Sequence, residues 1–340
     1  MKKFISVMLT VIIMCMSFLS FANAESGTKA TADFSIRDPF VLTYEGKYYM
    51  YGTGAAGNGY GCYVSDDLEN WSGPYTVFSA ASEENFDGTK DFWAPECHYY
   101  NGSFYLFATY YSSATEHRGT AVFKADNPLG PFRLHSSGQI TPKYRDCIDG
   151  TLYVDDDGQP WIIYVNEWTS NEDEIGTMAV SKLNSDLSFR MGEPKEIFRA
   201  DGHIWTDSKV TDGPFIYKTS AGKLIMLWSN SARSGGYAVG VAFSNNGKID
   251  GRWIHEPFAL YKKNDDHIFD GGHGMLFKAN DGQLMMSIHS PNDSSISRTT
   301  AVFLPIEDYG VSIRLAEEET FAKKVQKIIT QIVHFIADIF

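Results

Sequence analysis

The chain has 340 residues, 43% of them hydrophobic and 14% aromatic, and a formal net charge of −13. That apolar content buries a sizeable core, as one large all-β domain or two ordinary domains. The acidic balance, with no basic run longer than a pair, excludes nucleic acid as a partner, because phosphate backbones require stripes of Lys and Arg.

The chain opens with Met1-Lys2-Lys3, an almost wholly apolar run from Phe4 to Phe21, and Ala22-Asn23-Ala24. A positive start, an apolar stretch and an A-x-A-like site predict a signal peptide over 1–24, a mature chain from Glu25, and a secreted or periplasmic protein. A membrane anchor is the alternative for an apolar run of this length. Cys15 lies inside the segment, which leaves Cys62, Cys97 and Cys147. An odd count gives no disulfide framework and at most one bridge.

Five segments then share one pattern, a Gly-containing turn followed by aromatic and aliphatic residues. They run from Glu45 to Gly54, Asn101 to Tyr110, Asp157 to Asn166, Ala221 to Asn230 and Asp281 to Ser290. Their glycines, Gly46, Gly102, Gly158, Gly222 and Gly282, are spaced by 56, 56, 64 and 60 residues. The N-G and D-G pairs among them suit tight hairpins. A strand-like run precedes each turn: Pro39 to Tyr44, Cys97 to Tyr100, Thr151 to Val154, Pro214 to Lys218 and Met275 to Lys278. Gly61 to Ser65, Thr120 to Ala125 and Tyr237 to Phe243 fit further strands of the same units. Hairpin repeats of this period predict an all-β, five-bladed β-propeller over 25–315, and the lack of intervening amphipathic helices disfavours βαβ units. From Phe321 the apolar spacing turns helical, which predicts a short amphipathic helix or tail over 316–340, docked on the propeller or, as the alternative, lying at a membrane surface. The sequence says nothing of oligomeric state.

In a propeller the innermost strand of each blade lines a central channel. The residues before each inner hairpin are Asp38, Glu96, Asp149, Asp212 and His273, four acids and a histidine in one structural phase. Asp-Pro and Asp-Gly-Pro are ordinary turn chemistry taken singly. Clustered carboxylates repel one another, however, and such clusters mark functional sites. Glycoside hydrolysis needs one ionised carboxylate, one protonated acid, and a group that tunes the acid.

IRDPF, FWAPE, IDGTLYVDDDG, TDGPFIYK and GGHGMLF together resemble glycoside hydrolase family 43, over about Phe34 to Pro305. The resemblance implies a five-bladed inverting hydrolase of arabinose, xylose or galactose polymers. It implies Asp38 as the general base and Asp149 as the residue that tunes and orients the acid. The family's acid is normally a Glu; here Asp212 stands in its place, one methylene shorter and about 1.5 Å further back. Glu167, just after the third hairpin, is the other candidate acid. Trp93, beside Glu96, is expected to floor a sugar site that Trp168 and Trp205 extend; Arg298 is similar to an arginine that contacts substrate. His273 is similar to a channel histidine that lies next to calcium or another ion. Asp155-Asp156-Asp157-Gly158 lacks the rest of a calcium loop and is expected to be a hairpin turn. No cofactor is expected to be required. The implied activity is an exo-acting α-L-arabinofuranosidase or β-xylosidase on plant cell-wall polysaccharide. A galactan- or galactofuranose-specific hydrolase and a non-catalytic carbohydrate-binding propeller are the alternatives.

Overall fold

A computed structural model describes residues 29–316 except Ser234. The signal segment and the C-terminal helix expected from the sequence lie outside the described residues.

The strands form five antiparallel sheets, each built from consecutive strands. The first blade holds β2 (Arg37–Tyr44), β3 (Lys47–Thr53), β4 (Gly59–Ser65) and β5 (Asn70–Ser79), with β1 (Lys29–Ala30) added at its outer edge. The second holds β6 (Gly88–Tyr100), β7 (Ser103–Ser112), β8 (Arg118–Ala125) and β9 (Arg133–Leu134). The third holds β10 (Cys147–Val154), β11 (Pro160–Asn166), β12 (Thr177–Leu183) and β13 (Arg190–Arg199). The fourth holds β14 (Asp212–Lys218), β15 (Leu224–Ala232), β16 (Gly236–Ser244) and β17 (Trp253–His255). The fifth holds β18 (Gly272–Lys278), β19 (Leu284–Ser290), β20 (Thr300–Asp308) and β21 (Ile313–Leu315).

The five repeated segments are the turns and second strands of these blades. Glu45-Gly46 and Asn101-Gly102 both have positive φ, as a two-residue type I′ turn requires. At Asp157, Ala221 and Asp281 only the following glycine has positive φ, and five residues join the strands. Asp155 accepts hydrogen bonds from the Asp157 and Gln159 backbone and from Trp161 Nε1, so the triple-Asp segment is a turn.

Aromatic rings fill the wedges between blades. Phe78 of the first blade meets Phe123 of the second at 4.5 Å, and Trp71 meets Phe303 of the fifth at 5.8 Å. Each buried phenylalanine contributes about 1.5–3 kcal/mol, which accounts for the aromatic enrichment without reference to sugar. Among the described residues no strand is shared between the first and last blades. The ring closes through contacts such as Ile36 N to Thr299 O (3.2 Å) and Thr43 Oγ1 to Lys278 O (2.7 Å). Cys62, Cys97 and Cys147 are buried free thiols, so the one bridge the count permitted is not formed.

Every inner strand carries a β-bulge at the same level. Register with the second strand steps from Arg37↔Thr53 to Phe40↔Tyr51, leaving one extra residue on the inner strand; the same slip occurs after Trp93, Ile148, Asp212 and Gly272. The first bulge residues, Asp38, Ala94, Asp149, Gly213 and His273, have φ between 41° and 56°. The second are Pro39, Pro95, Gly150, Pro214 and Gly274. Proline suits a position outside the hydrogen-bond ladder, and a left-handed backbone on Asp, Ala or His is strain of the kind that collects at functional sites.

Candidate active site

The bulges set the side chains of the inner strands in layers. The residues just before the bulge, Arg37, Trp93, Ile148 and Asp212, line a cavity of about 370 Å³ at the channel mouth. Asp38, Asp149 and His273 from the bulges form its base, and Thr53, Glu167, Trp168 and Tyr237 complete the wall. Asp212 is therefore one step out of phase with Asp38 and Asp149. Gly213 occupies its blade's bulge position, and there a Cβ would sit 2.8 Å from the His273 ring. The fourth blade thus leaves room for the imidazole and offers its acid from the residue before.

A ring of hydrogen bonds holds the bulges. Ala94 N donates to Thr53 Oγ1 (2.8 Å), Asp149 N to Thr109 Oγ1 (3.0 Å), His273 N to Ser229 Oγ (2.8 Å) and Asp38 N to His289 Nδ1 (3.2 Å). Each acceptor lies on the second strand of the preceding blade, opposite the residue just before that blade's bulge. The third blade has Val165 there, which cannot accept, and Gly213 N donates instead to Asp149 Oδ2 at 3.0 Å. One carboxylate oxygen of Asp149 is thus spent on the backbone beside Asp212.

The electrostatics separate the three acids. Burial alone would raise the Asp38 pKa, but His273, 3.2 Å away, outweighs it and holds the carboxyl well below the usual range. Thr53 Oγ1 donates to its other oxygen at 2.6 Å. Burial raises Asp149 to about 6 against the pull of His273, 3.8 Å away. Burial, then the neighbouring Asp149, pushes Asp212 up to about 8. Tyr237 OH lies 3.0 Å from Asp212 Oδ2. At neutral pH the cavity holds an ionised Asp38 and a protonated Asp212, the pair of states that acid–base hydrolysis requires.

Burial opposes the charge on His273, but Asp38 and Asp149 raise its pKa to about 10. The protonated ring directs Nδ1 at Asp38 Oδ1, 3.2 Å away. Among the described residues no group of three or more His, Cys, Asp or Glu side chains is placed to hold a metal ion.

Glu167 lines the cavity but is tied to Arg118, whose Nε lies 2.7 Å from Oε2. Arg118 also reaches Asp91 at 3.2 Å and lies over the Trp93 ring at 5.3 Å from its centroid. Burial raises Glu167 while Arg118 opposes the shift. The pair fixes the wall that Trp93 and Trp168 form.

Three expected substrate contacts lie elsewhere. Glu96 sits past its bulge, 3% exposed, and pairs with His98 at 3.2 Å, because the extra bulge residue carries it below the cavity. Trp205 lies out in the fourth blade, packed on Trp228 at 4.9 Å and over Gly240, in a separate cavity with Ile204 and Phe258. Arg298 is exposed and donates to Ala32 O at 2.8 Å, pinning the N-terminal segment. Sequence reasoning missed Arg37, Thr53, Tyr237 and His289. A hydroxyl or imidazole recurring in four of the five blades opposite the residue before the bulge, at Thr53, Thr109, Ser229 and His289, was the available signal.

The profile of the family Glycosyl hydrolases family 43 matches residues 29–304. An extracellular exo-α-(1→5)-L-arabinofuranosidase, ArbA, of Cellvibrio japonicus is 27% identical over 269 residues, covering 72% of each chain. An extracellular endo-α-(1→5)-L-arabinanase of Bacillus subtilis is 25% identical over 163 residues, 45% of this chain and 50% of that one. Among solved structures, an endo-arabinase from Bacteroides thetaiotaomicron superposes with a TM-score of 0.74 at 37% identity, over 83% of this chain and 98% of that one.

Proposed function

The chain belongs to glycosyl hydrolases family 43 and is a glycosidase, and from that premise we propose that it is secreted and cleaves α-1,5-linked L-arabinofuranosyl units from arabinan with inversion. The observation that carries the assignment of roles is that Asp38, 3.2 Å from His273, and Asp212, buried beside Asp149 and Tyr237, line one cavity.

Asp38 orients a water and takes its proton as the oxygen attacks the anomeric carbon. Asp212 gives its proton to the leaving glycosidic oxygen. The charges then reset through solvent. A carboxylate as acidic as Asp38 is a weak base, so it contributes by aiming the water at an oxocarbenium-like centre more than by early proton capture. Asp149 holds the Gly213 amide and so the strand that presents Asp212, and its charge keeps the acid protonated. Glu167, engaged with Arg118, is a poorer donor than Asp212.

The arabinofuranosyl preference and the secretion rest on the relatives named extracellular arabinofuranosidase and arabinanase. A cavity of about 370 Å³ is at the small end of ligand sites, which run from about 300 to 1,000 Å³. It suits a terminal unit and favours exo action. The 37% identity to an endo-arabinase favours internal cleavage of the same linkage as the second reading. A time course of products from linear arabinan, with arabinoxylan and galactan as controls, tests the proposal. Early release of a single small product from arabinan alone is expected. Early accumulation of mixed oligomers transfers the assignment to endo action, and turnover of galactan or xylan alone overturns the substrate.

A further inference from the structure

His289 is fully buried, and three atoms of two residues, Asp38 and Asn292, lie against its ring nitrogens. Nδ1 lies 3.2 Å from the Asp38 amide and also 3.2 Å from Asp38 Oδ1. Nε2 lies 3.2 Å from Asn292 Oδ1. The two sides demand different protonation states, because Nδ1 cannot accept from the amide and donate to the carboxylate at once.

Arg37 resolves the ambiguity. Its guanidinium NH2 lies 2.8 Å from the same Asn292 side-chain atom, and NH1 donates to Asn292 O at 2.9 Å. Arginine has only donors, so the Asn292 atom facing it is the carbonyl oxygen. That oxygen can receive His289 Nε2 only if Nε2 bears the proton. Burial disfavours the charged ring and outweighs the opposing pull of Asp38, which leaves the His289 pKa lowered, so the ring holds a single proton. Nδ1 is then bare and accepts the Asp38 N–H.

We propose that Asn292 is a positioning residue for the general base: anchored by Arg37, it fixes the His289 proton on Nε2, so that Nδ1 holds the strained Asp38 bulge without donating to the Asp38 carboxylate. The benefit is chemical. Asp38 already receives the Thr53 hydroxyl on one oxygen and faces His273 from the other. A proton on His289 Nδ1 would leave the Asp38 amide without its acceptor. Asn292 is itself held by Asp270, whose Oδ1 accepts its amide at 3.1 Å while Oδ2 accepts that of Tyr237 at 3.0 Å. The charged and titratable groups facing His289 are Arg37 and Asp38 on β2, His273 on β18 and Tyr237 on β16, whose ring stacks on it at 5.4 Å.

The inference takes the base assignment of Asp38 from the proposed function, but its spectroscopic test stands apart from activity. Nitrogen-15 NMR of histidine-labelled full-length protein, with the resonance assigned by its loss in His289→Gln, reports which ring nitrogen carries hydrogen. The wild type is expected to show a bare Nδ1 and a protonated Nε2 at neutral pH. Asn292→Asp keeps an oxygen for Arg37 but adds a charge that stabilises the imidazolium, putting a proton on Nδ1 as well. A residue that merely braces Arg37 would tolerate this change. The tautomer role instead predicts kcat about tenfold or more below wild type at pH 6, of the order a small misplacement of a reacting group costs. The ratio of variant to wild type should recover as pH rises and His289 loses the added proton. A wild-type proton on Nδ1 overturns the proposal. So does an Asn292→Asp enzyme that matches wild type in kcat at every pH.

Discussion

Replacing Asp212 by alanine tests the division of labour between the acids. With a pKa raised to about 8, the carboxyl is about 90% protonated at pH 7, whereas an unperturbed aspartic acid would be about 0.1% protonated. Asp212 is thus the group that holds a proton to give, and general acid catalysis contributes about 10²–10⁴-fold. On arabinan, whose leaving group is a sugar alkoxide, Asp212→Ala should lower kcat about 10³-fold. On a nitrophenyl arabinofuranoside, whose leaving group needs little proton, the loss should stay within about tenfold, and the basic limb of the pH profile near pH 8 should vanish. Glu167→Ala should weaken both substrates alike. Equal losses on both substrates in Asp212→Ala, or the selective pattern in Glu167→Ala, would refute the assignment.

Tyr237→Phe removes a hydrogen bond that lowers the Asp212 pKa, so the basic limb should move to higher pH; an unmoved or lowered limb contradicts this. Thr53→Val removes both the donor to Asp38 and the acceptor of the Ala94 amide. Leaving that amide unsatisfied should cost about 1–3 kcal/mol in urea unfolding, and an unchanged midpoint would argue against the hydrogen-bonded ring. Asp212→Asn tests the same pKa through stability. Asp212 moves from 3.8 unfolded to about 8 folded, so the native state keeps a proton that the unfolded chain has lost. Stability from this group is present below about pH 4 and falls as pH rises to about 8. The Asn variant should therefore gain on wild type between pH 4 and pH 9 in denaturant midpoint, and a gain in the opposite direction would contradict the raised pKa.

The blade count, the hairpins and the two bulge carboxylates were legible because they recur. Glycine turns at regular intervals identify hairpins, and Asp-Pro and Asp-Gly mark the places where a strand must bulge. The common phase assigned to Glu96 and Asp212 was not legible. A bulge adds one residue and shifts all that follows, so Glu96 drops below the cavity while Asp212 stays above its bulge. Aligning the Pro or Gly at each second bulge position, instead of the acids, gives the observed layers. Trp205 and Arg298 were placed by residue type alone; one is decided by packing on Gly240, the other by a carbonyl near the N-terminus. Arg118 and Asn292 act through contacts between distant segments, such as Arg118 with Glu167 and Arg37 with Asn292, which no local pattern encodes.

The most direct measurement is proton NMR of the first turnovers on an α-1,5-arabino-oligosaccharide, following the anomeric configuration before mutarotation. Water delivered by Asp38 from the face opposite Asp212 predicts that β-L-arabinofuranose appears first and then equilibrates. Initial release of the α-anomer would mean that a carboxylate attacks the sugar directly, and would contradict the roles given to Asp38 and Asp212.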